Sequence, residues 1–423
     1  MTTSRQEQII SLMRSQLRPA VGCTEPAAAA YAAAVSARNL GVEPERITVA
    51  VSRNILKNAM GVGIPGTDMV GLPIAVALGA LYGDADASLA VLHRVRPEDV
   101  LRANTMIAEG RVEIRLSETE QKLYIDVLTE GEGHTARAVI EHAHTHITRI
   151  ERDGRCVQWE NCEGDTVQDG AVDDLSLREI DNFVRNVSTD ALDFLQDCVE
   201  MNTAIAQEGL KRAYGMAIGK SLYDNMEPQE SEERYAMALT CAAADARMGG
   251  CILPVMSSCG SGNQGLTATL PIIAVGQVRR LSREALFRAL SYSLLVTIYV
   301  KRHLGKLSAL CACSVGASIG TACALTYLDG GDYAHVCHCV DNVVADVSGV
   351  ICDGAKAGCS LKIATGVSSA FRCAMLAMKN HNATRLDGIV GANAEASVDN
   401  LANLCNTGMS ATDQVILDML VCK

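Results

Sequence analysis

Bulky aromatic side chains are scarce in this sequence. Phe, Tyr and Trp make up 4% of the 423 residues, whereas hydrophobic residues as a whole make up 48%. Small and aliphatic side chains must therefore fill the core, which suits helices that pack closely together. The chain is long enough for two or three domains with ample core.

An excess of basic residues is also absent. The chain has 37 Lys and Arg against 49 Asp and Glu, a net charge of −12. Because nucleic-acid binding depends on clustered Lys and Arg facing phosphates, we expect no nucleic acid among the partners of this protein. A small-molecule substrate is the partner that we expect instead.

Long hydrophobic runs are missing as well. The longest apolar run covers residues 69–83 and contains Pro73, whereas a membrane-spanning helix needs about 20 residues. This run predicts a buried helix or loop. No basic and apolar leader opens the chain, so we expect a cytoplasmic protein without a membrane partner. The sequence does not determine the oligomeric state, and a homodimer is one assembly compatible with it.

Cysteine, in contrast, is abundant, with 17 residues. In a large chain without a secretory leader, disulfides are the weaker explanation, and metal binding or catalysis is the stronger one. Most of these cysteines should still be ordinary core residues.

The pattern of hydrophobic residues predicts an α+β fold. A small α+β domain over residues 45–175 is inserted into a mainly helical, discontinuous catalytic domain formed by residues 1–44 and 176–423, with an acidic linker over 162–174. The alanine-rich N-terminal helices should pack with the C-terminal half. Residues 88–110 should be helical, and β-branched alternation predicts strands over 46–52, 111–117, 122–131, 134–154 and 155–161.

One cysteine stands directly before a predicted helix. Alanines follow "GCTEP", and they predict a helix over 25–39 with Thr24 as N-cap and Pro26 in the first turn. Backbone N–H groups and the helix dipole at that end would favour a Cys23 thiolate. The alternative is that Cys23 is a small buried residue in a tight turn.

Two other segments carry polar residues that could bind a ligand. Residues 256–271 predict a glycine-rich loop whose N–H groups could cradle a carboxylate, although a purely structural turn is an equal alternative. His142, His144 and His146 would share one face of a strand. That row could bind a metal, but a polar strand face is the more common explanation.

The later cysteines suggest a further metal site. Cys311 and Cys313 lie close together in sequence, and Cys352 and Cys359 flank a polar, glycine-containing loop. Thiolates in such loops are suitable iron–sulfur ligands, although this spacing is not the compact ferredoxin run. The spacing alone is therefore weak support for a cluster.

Five stretches of the sequence form a recognisable set: "GCTEP" (22–26), "PGTDMVGLPIA" (65–75), "DARMGGCILPVMSSCGSGNQG" (245–265), "LSALC" (307–311) and "SGVICDGAKAGC" (348–359). Taken together, they resemble the L-cysteine desulfidase family, which is related to the α-chain of iron–sulfur L-serine dehydratases. The resemblance implies a [4Fe–4S] cluster held by Cys311, Cys352 and Cys359, with the fourth iron open to substrate; Cys313 is the alternative first ligand.

The same resemblance implies a reaction. It makes the protein a carbon–sulfur lyase that eliminates sulfide from L-cysteine and yields pyruvate, ammonia and hydrogen sulfide. Cys23 corresponds to the proposed active-site cysteine of the family, and we expect it to remove the Cα proton. The substrate carboxylate would lie on the segment formed by Ser261, Gly262, Asn263 and Gln264.

Three alternatives remain. An L-serine dehydratase would use the same cluster with a hydroxyl leaving group, and a non-catalytic iron–sulfur sensor would bind the cluster without turnover. A pyridoxal phosphate (PLP) enzyme would need a lysine in a PLP-binding context, and we expect no PLP because none is recognisable. The lysines available are Lys57, Lys301, Lys306, Lys356 and Lys362.

Overall fold

The computed structural model of the chain describes residues 2–159, 174–227, 231–305 and 308–421. Across these ranges it contains sixteen α-helices and eight β-strands, which confirms the predicted α+β class. Residues 162–173 of the predicted linker, together with Lys306 and Leu307, lie outside the described residues.

The elements are numbered in chain order. The strands are β1 (Leu17–Ala20), β2 (Arg46–Val51), β3 (Val112–Leu116), β4 (Tyr124–Gly131), β5 (His134–Glu141), β6 (Ile147–Arg152), β7 (Arg155–Trp159) and β8 (Val255–Ser258). The helices are α1 (Thr3–Gln16), α2 (Thr24–Leu40), α3 (Arg53–Ala59), α4 (Leu72–Tyr82), α5 (Pro97–Ala108), α6 (Leu177–Asn186), α7 (Leu195–Lys211), α8 (Ile218–Asp224), α9 (Glu232–Met248), α10 (Gly262–Arg279), α11 (Arg283–Leu304), α12 (Gly316–Leu328), α13 (Tyr333–Val347), α14 (Cys359–Met378), α15 (Ala394–Asn403) and α16 (Thr412–Val421).

Six strands form one sheet in the order β3–β2–β4–β5–β6–β7. The pair β2–β3 is parallel, and the other neighbours are antiparallel. In β4, buried residues alternate with partly exposed ones, because successive side chains of a strand point to opposite faces. Each of the five segments predicted as strands contains a strand, so the sheet prediction is confirmed.

The predicted long strand over 134–154 is interrupted, however. β5 and β6 are separated by a turn in which His142 has a φ of 67°. His142, His144 and His146 therefore lie in a turn, and the expectation that they share one strand face is wrong. In the described part of the chain, no three His, Cys, Asp or Glu residues are placed to hold a metal ion, and this includes the three histidines.

The two N-terminal helices pack against different partners. α1 joins the core of the C-terminal half through residues such as Ile9 and Met13. α2, in contrast, packs its alanines against the sheet, where Ala29 and Ala33 share a buried cluster with Val49. Alanine allows this helix to lie close to the sheet, so the expectation that both helices pack with the C-terminal half is wrong for α2. The domain boundaries themselves remain a prediction.

Residues 69–83 form the buried helix α4, as expected. The helical prediction over 88–110 is only half correct, since α5 begins at Pro97. Proline fits the first turn of a helix but not its interior, and the Asp99 carboxylate accepts a hydrogen bond from the Arg96 N–H at 2.9 Å to cap that end. Within the described ranges, no helix has both the length and the apolar character that a bilayer crossing requires.

The remaining helices form a second, larger core with α1. Small residues allow their backbones to approach closely: a Cβ added at Gly320 of α12 would lie 2.3 Å from the Ser293 carbonyl oxygen of α11. Below, residues 22–159 are called the sheet layer, and α1 with the described residues from 174 onward is called the helical region.

A short two-stranded ribbon brings two distant segments together. β1 pairs antiparallel with β8, so that Leu17 faces Ser258 and Ala20 faces Val255. Because the pairing is antiparallel, the chain leaves β1 towards Cys23 at one end of the ribbon and leaves β8 towards Ser261 at the other. The ribbon therefore joins the segment that precedes α2 to the segment that precedes α10.

Candidate active site

Cys23 occupies the N-terminal end of α2. It is the N-cap residue itself, and Thr24 is the first helical residue, so the prediction of Thr24 as N-cap is wrong. The Thr24 hydroxyl donates to the Glu25 carboxylate at 3.1 Å and does not cap a backbone N–H. Cys23 is 8% exposed. It packs in a small cluster with Val62, Met248, Ala355 and Cys359.

The surroundings of Cys23 favour the protonated form of its thiol. Its Sγ donates a hydrogen bond to Glu25 Oε2 at 2.9 Å. Burial raises the pKa of Cys23 well above its usual value, the negative charge of Glu25 raises it further, and the positive charge of Arg247 opposes both. The predicted resting thiolate is therefore wrong, because burial disfavours the charged form more than the helix end favours it.

Glu25 connects Cys23 to a neighbouring helix and to the sheet. Its carboxylate also accepts a hydrogen bond from Asn58 Nδ2 at 3.1 Å, and Asn58 belongs to α3. Burial lowers the pKa of His144, and the charge of Glu25 opposes that shift. The turn between β5 and β6 thus lies within electrostatic reach of the site, although its histidines were considered for a different role.

The segment predicted as a loop over 256–271 is a strand, a tight turn and a helix. Cys259 and Gly260 form the turn with positive φ values of 49° and 77°. The expectation of one long loop is therefore wrong. Free N–H groups are still present, because the first N–H groups of any helix lack partners within it.

Four residues of this segment were predicted to bind substrate, and their side chains have different surroundings. Ser261 caps α10 by accepting a hydrogen bond from the Gln264 N–H. Its Oγ also lies 3.4 Å from the Sγ of Cys313. Gln264 is fully buried, with its amide nitrogen directed to the Ser258 carbonyl at 3.4 Å. The backbone N–H groups at Gly262 and Asn263 thus offer more to a ligand than the side chain of Gln264 does.

Arg247 links this segment to the Cys23 segment. Its Nη1 donates to Asn263 Oδ1 at 3.0 Å, and its Nη2 donates to the Gly22 carbonyl at 2.7 Å. Sequence reasoning missed this residue. The available signal was a charged side chain at the end of the alanine-rich helix α9, directly before "MGGC".

The later cysteines come from three neighbouring backbone segments. The Cys311 N–H donates to the Val350 carbonyl at 2.9 Å, and the Cys352 N–H donates to the Ala309 carbonyl at 2.7 Å. This short antiparallel pairing sets Cys311 and Cys352 beside each other. Cys359 is the first residue of α14.

The electrostatics of these thiols indicate that they lie close together. A hydrogen bond from Cys311 lowers the pKa of Cys313, and the same bond raises the pKa of Cys311. Burial raises the pKa of Cys359 to about 11, with smaller contributions from Cys313 and Cys352. Four cysteines thus influence one another, including both residues considered as the first cluster ligand.

The donor set suits an iron–sulfur cluster chemically, because the irons of such clusters take Cys thiolates as ligands. In the described residues, no three His, Cys, Asp or Glu side chains are placed to hold a single ion. Cys311, Cys352 and Cys359, with Cys313 as the alternative to Cys311, are the residues that could hold such a cluster.

Lysines near the site are engaged in ion pairs. The Lys57 ammonium group contacts the Asp413 carboxylate at 2.5 Å, and Lys356 and Lys362 both pair with Asp353. A PLP aldehyde would have to displace such a partner at any of these three positions.

The chain is similar to known proteins over most of its length. A family model described as "Serine dehydratase alpha chain" matches residues 86–418. A UPF0597 protein of Bacteroides thetaiotaomicron is 43% identical over 427 residues, covering 100% of this chain and 99% of the relative. UPF0597 proteins of Oleidesulfovibrio alaskensis and Aeromonas hydrophila are 43% and 41% identical, each over 98% of this chain and 97% and 96% of the relatives.

Proposed function

Because the chain belongs to the serine dehydratase alpha chain family, we propose that it is an iron–sulfur lyase that acts on L-cysteine. The reaction eliminates H₂S from L-cysteine to give 2-aminoacrylate. Its imine tautomer then takes up one water and yields pyruvate and ammonia. The observation that supports this proposal is that Cys23 lies in a small buried cluster with Val62 and Met248, against which Cys359, one of the candidate cluster ligands, packs.

The cluster would be held by Cys311, Cys352 and Cys359, with Cys313 as the alternative to Cys311. A [4Fe–4S] cluster with an open iron supplies a Lewis acid that makes the substrate sulfur a better leaving group. The pairing of the Cys311 and Cys352 backbones and the placement of Cys359 at the start of α14 support this ligand set.

Cys23 is proposed to take the Cα proton of the substrate. Because burial and Glu25 raise the pKa of Cys23, its thiol must first give its proton to an acceptor, and Glu25 Oε2 already accepts its hydrogen bond. The resulting thiolate then removes the Cα proton, which restores the thiol, and the proton held by Glu25 leaves with the departing sulfide as H₂S, which restores the carboxylate. Low exposure of Cys23 keeps water away from the proton that is transferred.

The beginning of α10 is proposed to hold the substrate carboxylate. N–H groups at a helix N-terminus and the positive end of the helix dipole both favour an anion. Ser261 and Gln264 shape this end through the cap, and Gly262 and Asn263 present their N–H groups.

L-serine dehydratase is the second candidate, and the name of the matching family favours it. The deciding experiment measures sulfide and pyruvate released from L-cysteine by anaerobically purified protein, with L-serine in parallel. Equal sulfide and pyruvate from L-cysteine, with little pyruvate from L-serine, is the expected result. Pyruvate from L-serine alone would make the protein a dehydratase, and no product from either with iron bound would indicate a sensor.

A further inference from the structure

A buried cation lies at the junction of the two segments that form the candidate site. Arg247 is 5% exposed and belongs to α9. A guanidinium group carries five N–H donors, yet only two acceptors meet it: the Gly22 carbonyl and the Asn263 side chain. Its buried Nε has no hydrogen-bond partner, and no carboxylate pairs with it in the described part of the chain.

Such a charge needs a counter-ion. Burying a cation is costly unless it is paired and hydrogen-bonded. Glu25, the acidic side chain beside Cys23, is hydrogen-bonded to Cys23, Thr24 and Asn58 instead of Arg247. Within the described residues no carboxylate is hydrogen-bonded to Arg247, so an anionic ligand would supply the pairing that this guanidinium group lacks.

The start of α10 faces the same guanidinium group. A Cβ added at Gly262 would lie 2.3 Å from Arg247 Nε, so only glycine allows the guanidinium to lie against the first turn. The N–H groups of Gly262 and Asn263 precede the first bond within the helix and have no acceptor among the described residues. The guanidinium group of Arg247 and the unpaired N–H groups therefore lie together at the first turn of α10.

We infer that Arg247, together with the N–H groups of Gly262 and Asn263, binds the carboxylate of the amino-acid substrate. This inference rests on the proposed function and adds the residue that recognises an α-amino acid by its carboxylate. A guanidinium fork matches the two oxygens of a carboxylate, and the hydrogen bond to Gly22 would hold that carboxylate on the side of Cys23.

The test compares substrates with and without a carboxylate. For Arg247→Lys, kcat/KM for L-cysteine should fall about 10- to 100-fold, in line with loss of charged hydrogen bonds, whereas kcat/KM for L-cysteine methyl ester should stay nearly constant. Arg372→Lys, which alters an arginine paired with Asp346 on the outside of α14, should change neither value. Equal losses for acid and ester in Arg247→Lys would reduce Arg247 to a structural link and overturn the inference.

A binding measurement separates this inference from the proposed reaction. Calorimetry of the iron-loaded protein with L-alanine, which has the carboxylate but no leaving group, should show binding by wild type and at least 10-fold weaker binding by Arg247→Lys. L-Alaninamide should bind both proteins equally weakly. If wild type releases no sulfide but still binds L-alanine more tightly than Arg247→Lys does, the proposed reaction is wrong and the carboxylate site is supported. Equal binding of L-alanine and L-alaninamide to wild type would overturn the carboxylate site.

Discussion

The sheet layer and the helical region are built from different residues and contribute differently to the site. The sheet layer buries Val and Ile of its strands under alanines of α2, and it provides Cys23 and Glu25 at the end of that helix. The helical region packs small residues tightly and provides the candidate cluster cysteines and Arg247. The residues proposed for the site therefore come from both regions, and neither region supplies all of them.

Part of the contact between the two regions runs through a glycine-rich segment of the sheet layer, residues 61–66. The Gly63 N–H donates to the Met248 carbonyl at 2.8 Å, and the Gly66 N–H donates to the Gly250 carbonyl at 3.1 Å. Gly61 pairs with Lys356 close to the candidate cluster ligands. This segment of the sheet layer holds the end of α9 in place beside Cys23.

The largest effect should come from removing ligands in the helical region. Cys352→Ala and Cys359→Ala should each reduce bound iron and acid-labile sulfide to background, because three thiolates are needed to hold the cluster. The measurement is iron and sulfide per chain after anaerobic reconstitution. Cys198→Ala, at a buried cysteine of α7, should retain the wild-type content; full iron in Cys359→Ala would contradict the ligand assignment.

The same assay decides between the two first-ligand candidates. Cys311→Ala should lose the cluster, whereas Cys313→Ala should keep it. The opposite result would assign the ligand to Cys313, which already contacts Ser261 at 3.4 Å.

Removing the cysteine of the sheet layer should have a different consequence. Cys23→Ala should keep iron and sulfide at the wild-type level and lower kcat by about 10²–10⁴, the usual contribution of a general base. Cys156→Ala, an exposed cysteine on β7, should leave kcat unchanged. Loss of iron from Cys23→Ala would move Cys23 into the ligand set, and near-normal kcat would remove its proposed role.

The contact between the regions can be weakened without touching a cysteine. A Cβ at Gly63 would lie 2.6 Å from backbone atoms of Gly249 and Gly250, so Gly63→Ala should lower the free energy of unfolding by about 1–3 kcal/mol. It should also reduce activity, since the end of α9 carries Arg247. Gly349→Ala, where nothing lies within 4 Å of the added Cβ, should be close to wild type in chemical denaturation.

Sequence patterns that span only a few residues predicted individual strands and helices correctly. Alternation located β2 and β4, and alanine with a following Gly41 located α2, because these signals are contained within a few residues. The β1–β8 ribbon was not predicted, since it pairs residues more than 200 positions apart. Cys23 does stand at the start of α2, as predicted, but its pKa is raised and not lowered, because burial beside Val62 and Met248 is not visible in "GCTEP".

The smallest expected effect concerns the pKa of Cys23, on which the two regions act in opposite directions. Glu25 of the sheet layer raises the pKa of Cys23, whereas Arg247 of the helical region lowers it. Glu25→Gln removes the negative charge but keeps an oxygen that can accept the thiol proton, so the pKa of Cys23 should fall. The thiol should then react at lower pH than in wild type.

The shift in the pKa of Cys23 can be measured by thiol labelling. Cluster-free protein is treated with methyl methanethiosulfonate across a pH series, and mass spectrometry of the Cys23 peptide gives the labelling rate. Glu25→Gln should move the half-maximal labelling rate to lower pH, and Arg247→Gln should move it to higher pH. Glu120→Gln, in the connection between β3 and β4, serves as the control and should leave the profile in place. If Glu25→Gln and Arg247→Gln shift the profile in the same direction, altered burial, and not the opposing charges of the two regions, determines the pKa of Cys23.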